Sequence, residues 1–189
     1  FSLLLMYPLF MSIFWIVGTL FYSLSHELRL KRRPNKQIDE QGISFLIPCY
    51  NEEETIKETI ENVLQLEFPN KEVIVINDGS SDLTAKVVNE LKESLNFIFI
   101  DLKENKGKAN ALNEGIKYAT YEFIMGIDAD TVINNDAPYY MLDNFRKNPH
   151  LAAVTGNPRI RNKSSILGKI QAVEYASMVG SIKRAQSIT

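Results

Sequence analysis

Glu72-Val-Ile-Val-Ile76 runs directly into Asn77-Asp-Gly-Ser-Ser-Asp82. Residues 73–76 are all β-branched and apolar, with no polar alternation, and such a run describes a strand buried on both faces. The polar residues that follow end it. Gly79 lets the chain turn sharply and approach a ligand. Asp82 is placed to cap a helix that continues to about residue 94. A buried strand whose exit loop opens a helix is the repeating unit of an α/β fold.

The unit recurs on both sides. Upstream, Ile43-Ser-Phe-Leu-Ile47 is a short apolar run ended by Pro48. Residues 53–66 then have helical spacing, with Ile56, Ile60, Val63 and Leu64 on one face. Downstream, Asn96-Phe-Ile-Phe-Ile100 predicts a third strand, 106–119 a helix and 121–127 a fourth strand. Residues 136–147 predict a helix, 151–155 a fifth strand, and the chain from 165 onward a longer helix. Strands alternating with helices predict a mostly parallel sheet with helices on both faces.

The 189 residues suffice for one ordinary domain with an appendage, and a hydrophobic content of 45% supplies a packed core. A net charge of −2 gives no broad positive field, which argues against nucleic acid as a partner. Cys49 is the single cysteine, so an internal disulfide and a cysteine-rich zinc site are excluded. With no histidine near it in sequence, Cys49 is expected to pack rather than attack.

Residues 1–25 contain no charged side chain and are rich in Leu, Ile and Phe. That is the length of a membrane-crossing helix, in which Pro8 and Gly18 are tolerated. Arg29, Lys31, Arg32, Arg33 and Lys36 follow it. Basic residues beside a span stay on the cytoplasmic side, which places the remainder of the chain in the cytoplasm. A cleavable signal would carry its basic residues ahead of a shorter apolar core. The expected organisation is a transmembrane helix over 1–25, a basic juxtamembrane linker over 26–42, and an α/β domain from 43 to 189 that is cut at its C-terminal end.

Parallel sheets bind ligands at the carboxyl ends of their strands, and the polar residues gather there. Asp128 and Asp130 leave the fourth strand two positions apart, a pattern that can offer oxygen ligands to one magnesium or manganese ion. Taken alone, the tripeptide is equally a polar turn. Asp78 can accept hydrogen bonds from a base or ribose. Lys108, with Lys106 and Gly107, opens a helix whose N-terminus attracts phosphate, or it is a surface lysine. Tyr50 and Glu52 can stack on and hydrogen-bond a nucleoside. Arg159 and Arg161 are candidate acceptor or phosphate contacts, or surface charge. His26 and His150 lie away from these loops, and Tyr118, Tyr121, Phe123, Tyr139 and Tyr140 are expected in the core.

In order and spacing, Ile47-Pro-Cys-Tyr-Asn-Glu52, Ile76-Asn-Asp-Gly-Ser-Ser-Asp82, Asn105-Lys-Gly-Lys-Ala-Asn-Ala-Leu112 and Asp128-Ala-Asp130 resemble the successive motifs of the family 2 glycosyltransferases. The resemblance runs from about residue 42 to the end. With the apolar segment upstream, it extends to the membrane-anchored processive synthases of that family. It implies a GT-A fold, UDP-N-acetylglucosamine as donor, a divalent cation (Mg2+ or Mn2+), and an inverting transfer that lengthens a β-1,6-linked extracellular polysaccharide. The implied partners are the UDP-sugar, the growing polysaccharide, membrane lipid and a small membrane accessory subunit.

Carried onto this chain, Asp78 would contact the uracil, Tyr50 and Glu52 line the nucleoside pocket, and Lys108 meet the diphosphate. Asp128 would lie at ribose or metal, and Asp130 would ligate the metal. The family's general-base aspartate and its Gln-x-x-Arg-Trp acceptor motif do not occur by Thr189, and both are expected beyond it. The chain alone is therefore expected to bind donor without transferring sugar.

Hyaluronan, chitin and cellulose makers share these motifs and form the alternative. A haloacid-dehalogenase-type phosphatase would use Asp128-Ala-Asp-Thr131 as its nucleophile motif, but at the end of the domain's first strand. A dinucleotide enzyme would need a Gly-x-Gly-x-x-Gly loop where Pro48-Cys-Tyr-Asn-Glu52 stands. A non-enzymatic membrane adaptor would leave four polar strand ends without purpose.

Overall fold

The computed structural model describes residues 2–22, 24, 41–156 and 169–170. They divide into two units, of which residues 34–152 hold the sheet. In chain order the elements are α1 (Ser2–Tyr22), β1 (Ile43–Cys49), α2 (Ile56–Gln65), β2 (Lys71–Asp78) and α3 (Thr84–Ser94), then β3 (Ile98–Leu102), α4 (Lys108–Ile116), β4 (Phe123–Gly126) and α5 (Ala137–Lys147).

The strands form one parallel sheet in the order β3-β2-β1-β4. The chain builds outward from β1 through β2 to β3, then returns across the sheet to place β4 on the other side of β1. This reversal leaves the exits of β1 and β4 diverging, which is where open parallel sheets form crevices.

The absence of alternation in β1 and β2 reflects burial on both faces. Phe45, Ile47, Val73 and Val75 face a core completed by Ile56, Ile60 and Val63 of α2, Val88 of α3 and Leu142 of α5. Leu46, Ile74 and Ile76 face the opposite side, where Ala111 of α4 covers them. The expected α/β architecture with helices on both faces is what forms.

At the entry ends of the strands, Glu72 accepts from the Ser44 hydroxyl (2.5 Å), the Thr120 backbone N–H (2.6 Å) and the Thr120 hydroxyl (3.0 Å). Burial pushes the Glu72 carboxyl up, but these bonds outweigh it and hold it below the usual carboxylate range. They tie the approach to β4 to both β1 and β2.

Several boundaries differ from the sequence expectation. β1 continues through Pro48 to Cys49. Its pairing with β4 ends at Leu46↔Gly126, so the missing proline N–H falls beyond that ladder. β3 starts at Ile98 rather than residue 96. The fifth strand expected over 151–155 is not seen: among the described residues that segment has no ladder partner, and Leu151 is 38% exposed. Of the aromatic set expected in the core, Tyr139 is buried, while Tyr118 and Tyr140 are exposed. Asp128 follows the fourth strand in chain order, which removes the phosphatase reading. Of the helix expected from 165, only Lys169 and Ile170 are described, and both are helical. The basic run 29–36, His26, Arg159 and Arg161 lie outside the described residues.

In the other unit, α1 is a 21-residue helix with no charged side chain. Leu9, Phe10, Ile13, Phe14, Ile16 and Val17 are exposed, so its described surface is apolar on all sides. Pro8, Ser12 and Gly18 interrupt that surface. Among the described residues, no helix is long and apolar enough to cross a membrane, so the span expected over 1–25 is not established by the helix itself.

Candidate active site

Residues 50–53, at the exit of β1, interlock with residues 80–84, at the exit of β2. Asn51 adopts a left-handed conformation (φ 54°), one of the few non-glycine residues suited to it. Its side-chain oxygen accepts from the Ser81 backbone N–H (2.9 Å), and its own N–H donates to the Ser80 hydroxyl (3.0 Å). The Glu52 N–H donates to the Thr84 hydroxyl (2.8 Å), and the Leu83 N–H donates to the Glu53 carboxylate (2.7 Å). Asp82 accepts from the Thr84 backbone N–H (3.0 Å) and hydroxyl (2.6 Å), a turn that leads into α3, but the cap position itself falls to Leu83, one residue later than the sequence suggests. Burial opposes ionisation of Asp82, yet these bonds keep its carboxyl below the usual range. Tyr50 is left 46% exposed at the tip.

Asp78 ends β2 and is only 3% exposed. One carboxylate oxygen accepts from the Lys106 N–H (3.0 Å) and the other from the Gly107 N–H (2.8 Å). The carboxylate therefore organises the loop ahead of α4. Gly107 (φ 89°) and Gly79 (φ 66°) supply the left-handed turns that bring the two segments together. Asn77 steadies the strand end, donating to Asp101 (2.6 Å) while its oxygen accepts from the Ser80 N–H (3.2 Å). Lys108, the first residue of α4, forms an ion pair with Asp128.

Beyond β4 the chain alternates in burial into a turn, with Ile127 and Ala129 buried and Asp128 and Asp130 exposed. Ile127 keeps one more ladder bond, its N–H donating to the Leu46 carbonyl (2.9 Å). The Ala129 carbonyl points inward and accepts from the Thr59 hydroxyl of α2 (2.8 Å). One turn along α2, the Asn62 side chain accepts from the Ile133 N–H (2.7 Å) and donates to the Ile133 carbonyl (3.2 Å).

These loops enclose a cleft of about 250 Å3, and all six residues expected from the sequence line it: Tyr50, Glu52, Asp78, Lys108, Asp128 and Asp130. Cys49 lies at its floor, its thiol donating to the Ile76 carbonyl (3.5 Å). Burial, reinforced by the negative charges of Glu52, Asp82, Asp101 and Asp78, pushes that thiol up to about 12. It stays protonated at neutral pH, as its packing role requires. His150 is exposed and outside the cleft.

Asp128 and Asp130 fit a hard cation that shares its coordination with substrate. Among the described residues, no group of three or more His, Cys, Asp or Glu side chains converges on one point. Two carboxylates leave most of an octahedral shell to phosphate oxygens and water, which is how magnesium and manganese bind in nucleotide sites. They do not fit the closed cage of a structural zinc.

Sequence reasoning missed Thr59, Asn62 and Asn51. Thr59 left a trace: it interrupts the apolar stripe of Ile56, Ile60 and Val63, and a polar residue at a buried position has a partner to satisfy.

The family model described as "Glycosyl transferase family 2" matches residues 44–187. A relative named poly-beta-1,6-N-acetyl-D-glucosamine synthase from Staphylococcus aureus (strain COL) is 58% identical, over 100% of this chain and 46% of its own length. The protein of the same name from Staphylococcus epidermidis is 59% identical, again over 100% of this chain and 46% of that relative. The chain thus spans about half the length of the curated relatives it matches. Among solved structures, the mannosyltransferase PcManGT from Pyrobaculum calidifontis, in complex with GDP-Man and Mn2+, superposes with a TM-score of 0.55. It is 25% identical, over 69% of this chain and 41% of that one.

Proposed function

Because the chain belongs to glycosyl transferase family 2, we propose that its cleft holds UDP-N-acetylglucosamine for a processive, inverting synthase of β-1,6-linked N-acetylglucosamine polysaccharide. The observation that carries this reading is the convergence of four separate strand-end loops on one cleft lined by the six expected residues. The relatives of that name support the choice of polymer over hyaluronan, chitin or cellulose.

Tyr50 offers an exposed ring to the base, with Glu52 beside it. Each Asp78 oxygen retains a second lone pair after accepting its backbone N–H, and these accept from the uracil. Lys108, which pairs with Asp128, would turn to the diphosphate, and Asp128 and Asp130 would hold the cation. The manganese named with the mannosyltransferase supports a divalent ion here. When bound, the ion offsets the charge that develops on the departing diphosphate. An inverting transfer also needs a base for the acceptor's proton, and none of the described cleft carboxylates is assigned to it.

Calorimetric titration with UDP tests the donor site. Wild type is expected to bind UDP more tightly with Mn2+ than without it, and Asp130→Asn to lose the metal-dependent gain while keeping metal-free binding. Absence of UDP binding in either condition removes the reading.

The same proposal places the chain at the cell membrane through its N-terminal segment, with the domain in the cytoplasm. The exposed apolar surface of α1 and the basic residues at 29–36 support it. The chain should stay in the membrane pellet after an alkaline carbonate wash, and deletion of residues 1–25 should release it. Recovery of the intact chain in the wash would overturn the anchor.

A further inference from the structure

We propose that Thr59 and Asn62 of α2 are positioning residues that fix the Asp128–Asp130 loop for cation binding. This rests on the donor-site reading above and goes beyond it, because neither side chain lines the cleft.

Residues 127–136 join β4 to α5 without helix or strand. A segment of that kind holds two carboxylates in register only if its backbone is fixed from outside. Within it, the Thr131 N–H donates to the Asp128 carbonyl (3.0 Å), closing a turn around the pair. The anchors in its middle come from α2. Thr59, 1% exposed, takes the Ala129 carbonyl, and Asn62 clamps both backbone groups of Ile133. Residues three apart share a helix face, so one face of α2 grips the loop on both sides of Asp130.

The Ala129 bond has a directional effect. It turns that peptide's carbonyl into the core, and the turn closed by the Thr131 N–H leaves Asp128 and Asp130 exposed on either side of the buried Ala129. The same helix begins at the Glu52 carbonyl, which accepts the Ile56 N–H (3.0 Å). The nucleoside side of the cleft and its cation side are thereby built on one rigid body. Partners that orient ligating carboxylates without touching the cation typically tune affinity rather than create it.

The test compares UDP binding with and without Mn2+, by calorimetry on the full chain. Thr59→Val keeps the shape and removes the donor, and Thr59→Ser restores it. Asn62→Ala, at a half-buried position, reports on the second clamp even where Thr59→Val fails to fold. Both donor-loss variants are expected to weaken Mn2+-dependent UDP binding about tenfold. Metal-free UDP affinity should stay within about twofold of wild type, and Thr59→Ser should match wild type. Wild-type Mn2+ dependence in Thr59→Val and Asn62→Ala would overturn the proposal. So would a parallel loss of metal-free and metal-dependent binding, which marks a general structural role. Failure of wild type itself to bind UDP would instead sink the donor-site reading, and this one with it.

Discussion

Gly79→Ala is expected to remove about 3 kcal/mol or more of stability, read as a lower urea midpoint with an unchanged slope. Two costs add at this position. The backbone sits at φ 66°, where a side chain collides with its own carbonyl. A Cβ would also stand 2.6 Å from the Asn105 nitrogen and 2.7 Å from the Glu104 carbonyl carbon. Both are main-chain atoms that cannot rotate away. Residues 104–105 would be forced off β2, and with them the amides that Asp78 holds, so UDP binding should fall as well. Gly107→Ala separates the two costs. Its φ is 89°, but a Cβ there meets nothing within 4 Å, so only the conformational cost of about 1–3 kcal/mol applies. Equal urea midpoints for Gly79→Ala and wild type would show that the β2 and β3 exits do not pack as described.

Asp78→Asn is expected to lower UDP affinity about a hundredfold, with or without Mn2+, and to cost about 2 kcal/mol of stability. The substitution preserves shape almost entirely, so its effect is chemical. The carboxylate accepts from two backbone donors on two separate oxygens. An amide has one acceptor and one donor, so whichever way it turns its NH2 faces an N–H. One of the two backbone bonds is lost at a position 3% exposed, with the Gly107 N–H left to its second acceptor, the Asn105 side-chain oxygen (3.0 Å), where the NH2 turns that way, and the lone pairs offered to the base are halved. Lost binding with wild-type stability would assign Asp78 to the ligand alone. Wild-type behaviour in both measurements would remove it from the site.

The fold was legible where burial leaves a mark on composition. Val73, Ile74, Val75 and Ile76 are apolar in succession because alternate members meet α2 and α3 on one side and α4 on the other. The third strand was read two residues early because Phe97, buried but outside the ladder, looks like a strand residue. The pairing instead continues to Asp101 and Leu102 opposite Asn77 and Asp78. Residues 151–155 have strand-like composition but pair with no strand among the described residues, and a strand is a relation between segments that composition does not record.

The cleft residues were legible because they end strands. Their bonds were not, since these depend on partners brought close only by the sheet: Thr59 meets Ala129 and Lys108 meets Asp128 across long intervals of sequence. Asp78 was read as a ligand contact, and its occupation by two backbone amides became visible only once β2 and the approach to α4 stood side by side.

The return of the chain across the sheet also orders its assembly. Ile43 of β1 pairs with Lys71 on one side, 28 residues away, and with Phe123 on the other, 80 residues away. Closing the longer loop costs about 0.9 kcal/mol more chain entropy, and the reward is a ladder of four residue pairs against seven. The β1-β2-β3 half can form first and offer a finished edge, onto which β4 docks late. Run in reverse, the cheapest partial unfolding peels β4 and its two aspartates away while the nucleoside half persists. Seen this way, the grip of α2 on residues 129–133 decides which part of the cleft is lost first as the native state breathes.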